Sequence, residues 1–152
     1  MAIRMKTTVT LKAEAECTSH SLANIAIRDL NVAIDEPTER GGTNLGPTPT
    51  DTALAALIGC TNVIGNKCAK ALDIDIGHLK ISASCAFDRR GVTLQEEINV
   101  PFQSIDLKVI SDGAVTQDDL YRVATETAKF CPVSKLFEAG GTQLNVTWEK
   151  AE

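Results

Sequence analysis

The side chains in this sequence with the most chemistry to offer are its five cysteines, Cys17, Cys60, Cys68, Cys85 and Cys131. A thiolate is both a nucleophile and a leaving group, and its usefulness depends on where its pKa sits. Cys131 lies in the run Phe130-Cys131-Pro132-Val133-Ser134. Proline there suits the first position of a helix, which makes Cys131 the N-cap, with free backbone N–H groups directed at its sulfur. Lys129 and Lys135 stand nearby in sequence. Both effects lower a thiol pKa and make the thiolate a good leaving group in disulfide exchange; the plainer reading is a cysteine that simply caps a helix. Cys60 ends the apolar run Thr52-Ala-Leu-Ala-Ala-Leu-Ile-Gly-Cys60. Burial there raises a thiol pKa, and the start of its helix lies roughly 13 Å back, beyond the reach of the helix dipole. A reactive Cys60 therefore needs a cation from elsewhere, most naturally an arginine; the plainer reading is a packed core thiol.

The remaining candidates are weaker. Cys68 follows Cys60 by two helical turns, roughly 12 Å, too far to pair with it. Cys17, in a loop-like stretch, and Cys85, in a strand-like one, read as packing residues. An odd number of scattered cysteines argues against a structural disulfide framework. No C-x-x-C spacing occurs and His20 and His78 are far apart, so zinc ligation is poorly supported. The segment Gly41-Gly42-Thr-Asn-Leu-Gly-Pro-Thr-Pro-Thr-Asp51 precedes a helix but lacks the lysine of a phosphate loop. Asp35-Glu36 reads as part of a solvated loop rather than as a catalytic carboxylate pair.

A net charge of −5 argues against nucleic-acid or anionic-membrane partners. The start, MAIRMKTTVTLK, has no apolar core of a signal peptide, and the longest nearly apolar run, Ala53–Cys60, is too short to span a bilayer. The expectation is a soluble, cytoplasmic protein whose 152 residues form one domain, 1–152.

The elements that must hold the cysteines follow from periodicity. Met5–Leu11 is β-prone, and Ala13–Ala23 reads as a loop or hairpin connection. Asn24–Ile34 alternates twice with a shift at Arg28-Asp29, so two strands and a bulge or turn are expected. Asp35–Thr50, rich in proline and glycine, is a loop. Thr48 or Thr50 can cap a helix that runs to about Leu72, with Pro49 at its first position and Asp51 in its first turn. The first half of that helix is apolar nearly all round, which predicts burial on most faces. Ala53, Ala55, Ala56 and Gly59 would let another backbone come close. Leu79–Phe87, Thr93–Pro101 and Ser104–Ile110 read as strands, with a hairpin turn at Asp88–Gly91. A helix follows from Thr116 to about Phe130, a short one spans Pro132–Glu138, and Thr142–Glu149 closes the chain as a strand. Strands grouped in succession point to an α+β fold with mainly antiparallel pairing. A long apolar central helix is hard to cover within one thin domain, and a second subunit would cover it.

Two stretches, DEPTERGGTNLGPTPTDTALAALIGCTNV and KFCPVSKLF, together resemble the family of osmotically inducible protein C and organic hydroperoxide resistance proteins (OsmC/Ohr). The resemblance covers Ile27 to about Trp148. It implies an intertwined homodimer around long central helices. It also implies a cysteine peroxidase acting on organic hydroperoxides or hydrogen peroxide, without metal or flavin cofactor. Cys60 matches the family's peroxide-attacking cysteine and Cys131 its resolving cysteine. An external dithiol, of lipoyl or thioredoxin type, would reset the pair. This chain departs from the pattern twice. Typical members carry glutamate ten residues before the cysteine, where Thr50 stands; the acid here is Asp51. They also carry an activating arginine in the first hairpin, and Glu14–Leu22 has none. Arg28 and Arg40 are the nearest substitutes. The resemblance thus leaves two functions to separate: a peroxidase working through Cys60 and Cys131, and a dimer that has lost that activity and binds a small ligand at its interface. A third, a purely structural dimer, would have no ligand-sized pocket near Cys60.

Overall fold

In the computed structural model, which describes residues 5–152, contacts gather in two units, one ending at Thr52 and the other running from Ala53 to Glu152. The first unit is an antiparallel meander of β1 (Glu14–Cys17), β2 (Ala23–Ile27) and β3 (Leu30–Ile34). Ile27 pairs with Leu30, so Arg28-Asp29 is a two-residue turn. Arg28 takes a left-handed φ of 56° there. The strand expected at Met5–Leu11 does not form, and β1 lies in the stretch read as a connection, with Cys17 at its end. The apolar side chains Met5, Val9 and Leu11 are exposed, so nothing among the described residues supplies the burial or the neighbour that a strand needs.

The loop after β3 is built around a carboxylate. Asp35 is fully buried, not solvated. It accepts the Glu36 N–H at 2.8 Å, the Thr43 N–H at 3.2 Å, the Leu45 N–H at 3.1 Å and the Thr43 hydroxyl. The Thr43 hydroxyl contributes most to holding its pKa well below the usual carboxylate range; burial opposes this, and the Leu45 and Glu36 N–H groups add to it. Two glycines allow the tight wrap: a Cβ on Gly42 would lie 1.9 Å from the Glu36 carbonyl oxygen, and one on Gly46 2.1 Å from that of Ala33.

The loop ends at α1 (Pro49–Ala71). Thr48 caps it: its hydroxyl accepts the Asp51 N–H at 3.1 Å and donates to the Asp51 carboxylate at 2.7 Å. The second unit then adds β4 (Leu79–Phe87), β5 (Phe102–Ser111), α2 (Gln117–Phe130), α3 (Pro132–Ala139) and β6 (Gln143–Lys150). The sheet order is β4-β5-β6. β4 and β5 are antiparallel, but β6 runs parallel to β5, because the two helices carry the chain back to the other end of the sheet. Of the four strand pairings, three are antiparallel, in a mixed α+β architecture.

Thr93–Pro101 is not a strand. Arg90 bonds Asp88 and Glu96, each at 2.8 Å, and the backbone spends its N–H groups on local bonds such as Gln95 to Arg90 at 2.9 Å. This segment is a long turn rather than a ladder, and the hairpin closes on the edge-to-face pair Phe87 and Phe102.

Along β5, Ile105, Leu107 and Val109 are buried while Asp106 and Lys108 face out. α1 crosses the buried face through a single stripe, Leu57, Thr61, Gly65, Cys68 and Ala69. Leu57 joins Ile105, Leu107 and Phe137 in one cluster; Cys68 and Ala69 join Val109, Leu120, Val123 and Trp148 in another. Within one chain the first half of α1 is thus covered on one side only, the situation in which a second subunit is expected to cover the rest. Its other side, with Ala55, Ala56, Gly59 and Val63, is exposed, because one three-stranded sheet covers one helix face only. No helix among the described residues is long and apolar enough to cross a membrane.

Two outcomes follow. A Cβ on Gly65 would sit 2.7 Å from the Trp148 ring. Gly65→Ala should therefore cost about 1–3 kcal/mol by overpacking, read by urea unfolding with the fluorescence of Trp148, the only tryptophan. The depressed Asp35 pKa gives stability that is complete above the unfolded carboxyl value of about 4 and is lost as pH falls below it. Between pH 7 and pH 3, Asp35→Asn should lose less stability than the native chain, measured as the change in urea midpoint.

Candidate functional site

Pro132 has no N–H to continue α2, and the residue before a proline avoids helical backbone. The chain breaks at Cys131 (φ −73°, ψ 108°), which is at once the C-cap of α2 and the N-cap of α3. Its N–H bonds Thr127 O at 2.9 Å, closing α2. Its sulfur accepts the Ser134 N–H at 3.4 Å, opening α3. The same break sends that sulfur toward α1, where it lies 3.0 Å from the sulfur of Cys60. This is hydrogen-bonding contact between two free thiols, against about 2.05 Å for a covalent disulfide. The Leu57–Phe137 packing fixes the distance: Leu57 sits one turn before Cys60 on α1, and Phe137 is on α3.

The two sulfurs differ. Cys131 is fully buried, whereas Cys60 keeps partial exposure. Burial is the main reason that the Cys60 thiol lies above its ordinary value; the hydrogen bond to Cys131 and the charge on Cys131 push the same way, and the Val133 N–H opposes them. For Cys131, burial pulls upward but is outweighed by donors: Cys60, then the Ser134 hydroxyl, then the N–H groups of Ser134 and Val133. Cys131 thus falls below an ordinary thiol. The lysines expected to assist are not among these groups; Lys129 instead pairs with Glu126.

Two clefts of the second unit are lined by near neighbours of the pair in sequence. One, of about 370 Å³, is lined by Ala53, Ala56, Phe102, Val133, Leu136 and Phe137, with Asn99 and Thr142 among its few polar groups. The other, of about 340 Å³, carries Thr61, Thr127, Ser134 and Glu138 beside Leu144 and Trp148. Ala56 precedes Cys60 by one turn, and Thr61 follows it directly.

The other sequence candidates sit apart from this pair in role. Arg40 pairs with Glu36 at 3.1 Å, Arg28 forms the β2–β3 turn, and Asp51 is engaged by the Thr48 cap, all in the first unit. Cys68 packs in the core, Cys17 is exposed on β1, and Cys85 sits on β4 with its thiol pushed up by burial. The backbone N–H groups expected at the Cys131 sulfur are those of Val133 and Ser134; sequence reasoning passed over the Ser134 hydroxyl. Its signal was present: with Cys131 as N-cap, Ser134 is the third helical residue, whose N–H an N-cap side chain ordinarily accepts.

Because Cys131 helps keep Cys60 protonated, Cys131→Ser should move the pH midpoint of Cys60 alkylation downward. Iodoacetamide rates across pH 6–10, followed by peptide mass, check this; an unchanged or higher midpoint contradicts it.

Residues 42–147 match the family model described as OsmC-like protein. No curated protein matches the sequence. Solved structures similar to this chain include an OsmC-like protein from Mycoplasma pneumoniae, with TM-score 0.78 and 16% identity, covering 95% of this chain and 99% of that one. An organic hydroperoxide resistance protein from Elizabethkingia anophelis, crystallised with thiocyanate, has TM-score 0.71 and 20% identity, covering 97% and 100%. One from Legionella pneumophila has TM-score 0.69 and 15% identity, covering 97% and 100%.

Proposed function

The chain belongs to the OsmC-like protein family, and from that premise we propose that it is a thiol peroxidase reducing organic hydroperoxides through Cys60 and Cys131. The observation that carries this reading is the 3.0 Å contact between two free thiols on separate helices. In the proposed cycle the Cys60 thiolate attacks a peroxide oxygen. The O–O bond breaks, the alkoxide leaves and takes a proton from water, and Cys60 becomes a sulfenic acid. The Cys131 thiolate then attacks the Cys60 sulfur, forming the disulfide and expelling hydroxide, which is protonated to water. An external dithiol returns two electrons and two protons. No metal or flavin enters these steps.

The nearly apolar cleft lined by Ala53, Ala56, Val133 and Phe137 supports an alkyl hydroperoxide over hydrogen peroxide, since it offers an organic group a dry surface lined by residues within about one turn of each cysteine. It also weighs against a purely structural role. A cation against Cys60 would offset the burial that keeps its thiol protonated; Arg40 and Arg28 are the candidates, with Asp51 as a supporting acid. A second copy of the chain is the proposed partner. The exposed small-residue face of α1 supports it, because a Cβ at Gly59 would meet nothing within 4 Å, leaving room for another backbone.

Cys60→Ser should abolish consumption of cumene hydroperoxide. Cys131→Ser should consume one equivalent and leave a sulfenic acid that dimedone labels at Cys60. If neither substitution alters peroxide decay, the chain is instead a non-peroxidase dimer that binds a small ligand in its cleft.

A further inference from the structure

The two sulfurs of the pair are unequal in access and in surroundings, and this bears on how the oxidised pair is opened again. Disulfide exchange needs three sulfurs in line: the incoming thiolate approaches behind one sulfur along the S–S axis, and the other sulfur departs with the charge. Cys131 is fully buried at the junction of α2 and α3, so the space behind its sulfur is occupied by protein. Cys60 is partly exposed on α1, and Ala56, one turn before it, lines an open cleft. The departing charge has an equally clear preference. The Cys131 sulfur faces the first turn of an eight-residue helix and accepts the Ser134 N–H at 3.4 Å, whereas Cys60 lies in the middle of α1 with no free helix end of its own.

We infer that reduction of this pair is directional: the external reductant attacks the sulfur of Cys60 and Cys131 departs as the thiolate, held by the N-terminus of α3. The inference rests on the reading of Cys60 and Cys131 as a redox pair and adds which of them receives the reductant. In the first step the reductant's thiolate forms a bond to Cys60 as the Cys60–Cys131 bond breaks, leaving the electron pair on Cys131. In the second, the other thiol of the dithiol, as its thiolate, attacks the reductant's own sulfur in the mixed disulfide. The Cys60 thiolate leaves, the reductant becomes a cyclic disulfide, and the protein thiols recover their protons from solvent. Approach and departure favour the same choice of sulfur, so attack at Cys131 is disfavoured twice.

The test uses the full chain and no peroxide. The protein is oxidised with diamide, freed of reagent, exposed briefly to 2-mercaptoethanol, quenched with N-ethylmaleimide at low pH and mapped by peptide mass. The expected result is the mercaptoethanol adduct on Cys60 and maleimide on Cys131, in excess over the opposite pattern by roughly tenfold or more. The adduct mainly on Cys131, an even division between the two, or no Cys60–Cys131 disulfide after diamide overturns the inference. Directional opening after diamide together with no oxidation by cumene hydroperoxide would instead remove the peroxidase reading and leave this one standing.

Discussion

One missing hydrogen-bond donor organises the second unit. Pro132 cannot supply the N–H that would carry α2 onward, so the chain must turn at Cys131. A helix interrupted there presents the closing residue of one helix as the opening residue of the next, and its side chain is drawn to the free N–H groups of the new first turn. The position of the Cys131 sulfur is thus set by backbone necessity before any contact with Cys60 is considered. Phe137, one and a half turns further along α3, then ties that helix to Leu57 on α1. The meeting of the sulfurs follows from a proline, a cap and a buried apolar pair.

The same arrangement divides the electrostatic labour. Both thiols pay for burial, but only Cys131 has donors enough to reverse it. Cys60 lies in the interior of a 23-residue helix, where the neighbouring N–H groups are spent on helical bonds. Whatever stabilises a Cys60 thiolate must therefore come from another element, as the Val133 N–H of α3 does. That requirement follows from helix geometry, whatever the family pattern.

Much of this was legible in the sequence where local chemistry decides structure. Thr48, Pro49 and Asp51 start α1, Thr116 with Asp119 makes a capping box for α2, and Pro132 opens α3; each signal lies within four residues of what it controls. Strands were less readable because pairing is not local. Met5–Leu11 has strand composition but no neighbour among the described residues, Glu14–Cys17 has poor composition but pairs with β2, and Thr93–Pro101 is diverted by the Arg90 ion pairs. The parallel placement of β6 was equally hidden, since it depends on the path of two helices. As for the site, the environment of Cys131 could be read from Cys-Pro-x-Ser. The proximity of Cys60 could not, because 71 positions separate the two cysteines and no periodicity reaches that far.

The burial of Asp35 shows how far such local reasoning can mislead and where it recovers. An Asp-Glu-Pro run looks solvated, yet a carboxylate accepting three backbone N–H groups and a hydroxyl is as well satisfied as in water. The glycines that made the segment look loose are there because backbone passes within van der Waals contact of backbone at Gly42 and Gly46. A loop bound this way is ordered and delivers the chain to the Thr48 cap at a defined point. Since α1 rises about 1.5 Å per residue without interruption, fixing its first turn fixes the height of Cys60 along the helix. Which turn of α1 meets the α2–α3 break is then a matter for the second unit's own packing, where Leu57 and Phe137 share one buried cluster.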